Sequence, residues 1–325
     1  MSYQQHLAQI ADDMLIDQNK IDNFQVPDEK AFIKSAEDYQ DALIKHHINP
    51  EKATGATLPW EKTWEKFRAR PAELSYIAGY KGHKKSMCAS HMFLDFIMQN
   101  NTAGIASFEM TPIEILDRMA SQSLGFQNGN EKALTQFFSS LKNRLYIYDQ
   151  QGTVETDRVI RMAEYCAYEL GLGYLCVDSM MKCGMAVDNY TAQKNFCNKL
   201  DAIARDTGMH IFLVLHMTKP PKDPRYIPTA YDIAGGNDVI NQAANIFTCW
   251  SDMEKKAQMA MPEELRDRSK THYMVNGEER EKYDVIINLA NQRHGSFEGK
   301  FGLFFDDKSL QLIERRSTYT KSYVR

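Results

Sequence analysis

From Pro59 onward, short apolar runs of strand length alternate with segments of helical period. That alternation restricts the chain to a mostly parallel sheet covered by helices on both faces. The runs are Tyr76-Ile77-Ala78, Gly104–Phe108, Leu145–Tyr148, Tyr174–Val177, His210–Leu215, Ile246–Trp250, Val285–Leu289 and Phe301–Phe305. Helices are expected over Met87–Met98, which is apolar on all sides and so buried, through Ala163–Leu170, and through Phe196, Leu200 and Ile203. Another begins at Thr111, where Thr111-Pro112-Ile113-Glu114 fits a capping box with proline at the first helical position. In an open parallel sheet the strand C-termini line one crevice. Residues that end successive strands are therefore neighbours in space, and four such ends carry chemistry: a Gly-rich loop after Ala78, then Glu109, Asp178 and His216.

The loop, Gly79-Tyr80-Lys81-Gly82-His83-Lys84-Lys85-Ser86, has the layout of a phosphate-cradling P-loop between a strand and a helix. Backbone N–H groups at a helix start point at phosphates, Lys85 supplies the cation and the Ser86 hydroxyl a Mg²⁺ ligand. One position departs from the pattern. Lys84 stands where glycine is usual, because the backbone there approaches the phosphate closely, often at positive φ. Asp178, after the apolar Tyr-Leu-Cys-Val run, suits a Mg²⁺-ordering carboxylate or equally the start of a turn. Glu109 suits a base for an attacking water or an acid favoured by the helix that begins at Thr111. His216 suits a γ-phosphate sensor or a structural histidine.

The 325 residues, 43% hydrophobic and 25% charged, suffice for one large domain and an appendage. A net charge of −4 excludes a polycation, so nucleic acid would be met by local loops. No apolar run reaches membrane-spanning length and the N-terminus lacks a signal-peptide pattern, which points to a cytoplasmic protein without membrane partners. The six cysteines form no CxxC pair and read as reduced, buried thiols. The 17 methionines read as gap-filling core residues.

Residues 1–58 read as a helical appendage and linker. Tyr3, Leu7, Ile10 and Met14 form one helical stripe, and Phe32, Ala36, Tyr39 and Leu43 a second. Two such helices need the main domain or a neighbouring chain to cover them. Residues 59–325 form the main domain, with a highly charged insert over about 251–282 that reads as a solvated helical excursion.

Taken together and in order, these segments resemble the RecA-fold motor domain of the hexameric replicative helicases of the DnaB family, in the style of phage helicases without a primase domain. Phe108-Glu109-Met110-Thr111-Pro112 is similar to that family's segment with the catalytic glutamate, and Leu175–Ser179 to its Walker B strand. Leu213–His216 is similar to the γ-phosphate-sensing motif, Asp232–Asp238 to the DNA-contacting motif, and Ile286–Gly295 to the segment with the arginine finger. The resemblance covers roughly residues 59–314.

It implies a RecA-like P-loop NTPase core with a mostly parallel twisted sheet flanked by helices. It also implies a hexameric ring that hydrolyses ATP with Mg²⁺ at subunit interfaces and translocates on single-stranded DNA to unwind duplex DNA. Lys85, Glu109, His216 and Arg293 would be catalytic, with Arg293 reaching into the neighbour's site; an isolated Arg after a strand also suits a surface salt bridge. Residues 79–86 and Phe305 would hold the nucleotide, Phe305 serving as a base-stacking ring or as core. Ser86 and Asp178 would hold Mg²⁺. DNA would meet Lys219, Lys222 and Arg225 on a proline-stiffened loop, together with Gly235, Gly236 and Asn237; an ordinary exposed loop is the competing reading. A separate primase or loader is the implied partner. A hydrolysis-poor ring that binds single-stranded DNA, motivated by Lys84, and a RecA-type recombination filament are the alternatives.

Overall fold

The computed structural model describes residues 36–41, 43–44, 54–186, 188–218, 223–316 and 320–323. Each expected apolar run is a strand: β1 (Leu74–Gly79), β2 (Ala103–Ser107), β3 (Leu145–Tyr148), β4 (Tyr174–Asp178), β5 (His210–His216), β6 (Asn245–Ser251), β9 (Val285–Gln292) and β10 (Gly299–Asp306). With β11 (Gln311–Ile313) they make a nine-stranded sheet in the order β11-β10-β9-β6-β1-β5-β4-β2-β3. Pairings from β6 across to β3 are parallel, and β9, β10 and β11 extend the sheet in antiparallel fashion. This is a RecA-like α/β fold, mostly parallel as expected.

Helices α1 (Lys85–Met98), α2 (Pro112–Leu124) and α3 (Glu131–Leu141) cover one face, and α4 (Thr156–Tyr168), α5 (Tyr190–Thr207) and α6 (Gly236–Ile240) the other. Alternation along β5 shows why both faces bury apolar surface. Phe212 and Val214 join the first core, and Ile211, Leu213 and Leu215 the second, as a period of two demands. The helix at Pro112 starts as read: the Thr111 side chain accepts from Glu114 N–H and Glu114 returns a bond to Thr111 N–H. All six cysteines are free and buried.

Of the N-terminal segment, Ala36–Tyr39 is a 3-10 turn, and the stripe of Tyr3, Leu7, Ile10 and Met14 lies outside the described residues. Gly55 packs on the main domain, where an added Cβ would lie 2.3 Å from the Ala69 carbonyl oxygen. Ala56 receives a bond from Ala69 and donates to the Tyr174 hydroxyl. Trp60 is buried and donates its indole N–H to Leu312 O at 2.7 Å.

The charged insert differs from the helical excursion expected. It holds two short helices, α7 (Met253–Met259) and α8 (Arg268–Thr271), and then a hairpin of β7 (His272–Val275) and β8 (Glu278–Glu281). The turn is Asn276-Gly277, both at positive φ, the dipeptide that suits the twist of a two-residue hairpin. The insert is not wholly solvated either. Lys255 is fully buried, with its ammonium 2.7 Å from both Glu281 and Asp284. Arg316 joins the same two carboxylates at 3.0 and 2.7 Å. This four-residue ionic knot ties the insert to β9 and β10.

Two predictions follow from burial. Lys255→Met leaves two carboxylates short of a cation, so urea denaturation is expected to show a loss of about 3 kcal/mol; an unchanged midpoint would mean that the knot holds nothing. His91 and His210 are buried, and burial pushes both imidazoles down to about 4. Unfolded imidazoles take up protons near pH 6.5. Stability is therefore fully present above that pH and lost as pH falls towards the folded value, by on the order of 2 kcal/mol per histidine at pH 5. Denaturation curves at pH 7 and pH 5 measure this, and His210→Gln is expected to flatten the difference.

Candidate nucleotide site at the strand ends

Register places the expected residues side by side. Gly79 pairs with His216 across β1 and β5. Asp178 pairs with Val214 across β4 and β5 and with Ser107 across β4 and β2. Glu109 follows Ser107 by two residues, and Phe108 N–H donates to Asp178 O at 2.8 Å. Glu109 Oε1 then lies 3.7 Å from His216 Nε2 and 3.5 Å from the Ser179 hydroxyl.

Gly79 has a local reason. A Cβ there would sit 2.6 Å from the Cys249 carbonyl of β6. Gly82 is at φ +84 with open space around it. Tyr80 sets its ring edge against His83, and His83 Nδ1 accepts from Ser251 N–H at 3.0 Å, which ties the loop to the end of β6. Lys81 is exposed at the tip. Lys84 adopts φ 61, ψ 24 directly before α1, the left-handed conformation for which glycine is usual. Its side chain leaves the loop, and the ammonium lies 3.2 Å from the centroid of the Phe305 ring.

Lys85 is buried, and its ammonium donates to Gly79 O at 2.9 Å and Tyr80 O at 3.1 Å. Burial lowers its pKa, while Cys249, Asp178 and Glu109 oppose that. Asp178 is also buried, and burial raises its carboxyl against a hydrogen bond from Ser86 and the cations Lys85 and Arg118. A hydroxyl and a carboxylate in contact are hard oxygen donors suited to Mg²⁺. Among the described residues no cluster of three His, Cys, Asp or Glu could hold a metal alone.

Arg118 is not among the residues expected from the sequence. It stands on α2, lines the same recess as Ser86 and Asp178, and has its pKa lowered by burial and raised by Asp178. The available signal was its place just over one turn after Glu114, on the helix that starts beside Glu109.

Other residues fall elsewhere. Arg293 follows β9, whose last residue Gln292 pairs with Asn245 at the start of β6, whereas Gly79 is level with Cys249. Four residues of strand, about 13 Å, therefore separate Arg293 from the crevice edge of its own sheet. It is exposed, and its guanidinium donates to Asn241 O at 3.0 Å and Ala243 O at 3.4 Å. Phe305 is half-buried on β10. Gly235 is buried at φ +113, while Gly236 and Asn237 are exposed. Arg225 is exposed and paired with Asp223 at 3.1 Å. Lys219 and Lys222 lie outside the described residues.

No family model and no curated protein sequence matches the chain. Solved structures do. The ATPase domain of G40-P superposes with a TM-score of 0.67 at 14% identity, over 87% of this chain and 100% of that one. A DnaB-like replicative helicase, described together with its interactions with primase, superposes with a TM-score of 0.63 at 14% identity, over 96% of this chain and 76% of that one. The fold is thus that of the ATPase domain of DnaB-like helicases. No described helix is long and apolar enough to cross a membrane.

The pairing of His216 with Glu109 is open to direct measurement. Burial and then Lys85 push the His216 imidazole below its usual value, while Glu109 pulls it up. An NMR titration is expected to find the midpoint below 6.5, and Glu109→Gln is expected to lower it further. A midpoint that rises in Glu109→Gln would remove the pairing.

Proposed function

We propose that this chain is an ATP-dependent DNA helicase whose active sites form between copies of itself in a ring. The observation that carries this reading is a division of labour within one protomer. Lys85, Ser86, Asp178, Glu109 and His216 meet at one edge of the sheet, and Arg293 stands exposed at the other. An arginine that cannot reach its own site completes a neighbour's.

In this reading the loop amides between Lys81 and Ser86 cradle the phosphates of ATP. Lys85 exchanges the Gly79 and Tyr80 carbonyls for β- and γ-phosphate oxygens. Ser86 and Asp178 would hold Mg²⁺, directly or through water, and the ion would supply charge neutralisation for the phosphates. Glu109 accepts a proton from a water aligned with the γ-phosphorus. The new P–O bond forms as the bond to the β–γ bridging oxygen breaks, and ADP leaves with that electron pair. His216, held neutral by burial, hydrogen-bonds the γ-phosphate and senses its departure through Glu109. Arg293 of the adjacent copy stabilises charge on the transferring group.

Single-stranded DNA would pass the same end of the sheet, over Gly236, Asn237, Arg225 and the loop with Lys219 and Lys222, contacted through its backbone and without sequence preference. A primase or loader would act alongside the ring, in the cytoplasm. The course of Lys84 favours hydrolysis over the hydrolysis-poor ring, since its ammonium points to Phe305 and leaves the place of Lys85 free.

The test is ATPase activity with single-stranded DNA on mixed rings. Lys85→Ala and Arg293→Ala are each expected to fall about 10³-fold. Mixed together they should regain activity, because some seams then pair an intact Lys85 with an intact Arg293. Mixtures as inactive as the separate variants, or full activity in Arg293→Ala, would overturn the shared site.

A further inference from the structure

The nucleotide reading leaves one group without a task. Lys84 is forced by its left-handed backbone out of the phosphate loop, and its ammonium rests on the face of Phe305. That ring borders a cavity of about 480 Å³ whose walls include Lys84, Asp284, Asp307 and Arg316 from the core and Met259 and His272 from the charged insert. The cavity therefore begins at the P-loop and ends under the insert, where the nucleoside half of a bound nucleotide would lie.

The backbone that carries the ring is held on both sides. Phe305 N–H donates to Asp284 at 2.8 Å, and Arg316 donates to Phe305 O at 2.9 Å. Asp284 is fixed in turn by the buried Lys255. Lys84, by contrast, has no carboxylate partner within ion-pair distance among the described residues. Asp307 and Asp284 act on it only at longer range, against burial and against Lys256 and Arg118. A rigid aromatic platform is thus covered by a loosely held cation on a flexible four-carbon stem.

We infer that Lys84 is a self-competitor for the nucleobase: its ammonium occupies the Phe305 face on which a base stacks, and a nucleotide binds only by displacing it. Cation–π contact and base stacking are comparable in strength, so the exchange is close to balanced and lowers affinity for base-bearing ligands. A triphosphate without a base does not need the ring face and escapes the competition. The inference rests on the nucleotide-site reading.

The experiment compares two probes on the full-length protein with Mg²⁺: adenosine 5′-(β,γ-imido)triphosphate and inorganic tripolyphosphate. Lys84→Asn keeps a residue that tolerates the left-handed backbone and removes the ammonium's reach. It is expected to raise affinity for the adenosine probe about three- to ten-fold and to leave tripolyphosphate affinity unchanged. In Phe305→Leu the same Lys84→Asn change is expected to have no effect on the adenosine probe. An equal loss for both probes in Lys84→Asn would make Lys84 a phosphate ligand and overturn the inference, and so would no change for either. Lys85→Ala separates the two levels. If it leaves both probes bound as before, the nucleotide site itself is misplaced; if it weakens both while Lys84→Asn is silent, only the role of Lys84 fails.

Discussion

The crevice depends on β1, β5, β4 and β2 ending level with one another. Parallel pairing fixes that. Gly79 is set against His216, and Asp178 against both Val214 and Ser107, so one register places a loop, two acids and an imidazole beside one another. A shift of one residue in any of these pairs would turn the apolar faces of that strand over as well. The two cores on either side of the sheet therefore enforce the alignment that the site needs, and the chemistry is anchored by packing far larger than itself.

The parallel core was legible because its signals are local. Runs such as Ile211–Leu215 are too apolar and too short to be anything but central strands, and Thr111-Pro112 with Glu114 marks a helix start by itself. Polar residues at the strand ends could then be grouped without knowing the strand order. The insert was less legible. Its charge suggested a solvated helix, yet Asn276-Gly277 makes a hairpin and Lys255 is buried among partners contributed by β8 and by Asp284, the residue before β9. Charge composition cannot show where a lysine finds its carboxylates when they lie some 26 or more residues away.

The direction of Lys84 was hidden for a related reason. The sequence shows that glycine is missing and that a side chain must sit at an awkward backbone angle. It does not show that Phe305, on the far antiparallel strand β10, offers that side chain a resting place. Arg118 is harder to read because its approach to Asp178 depends on how α2 packs over the sheet, a tertiary fact that its spacing from Glu114 marks only in part.

The two carbonyls that hold Arg293 have a mechanical meaning. Asn241 and Ala243 give the guanidinium neutral acceptors at the tail of α6, the helix whose head carries Gly236 and Asn237. Ionised acceptors bind such a group about twice as strongly. An ionised acceptor would therefore draw the arm away from these two carbonyls. In the proposed ring, such a latch would report occupancy across a subunit boundary from the tail of the same short helix whose head carries Gly236 and Asn237.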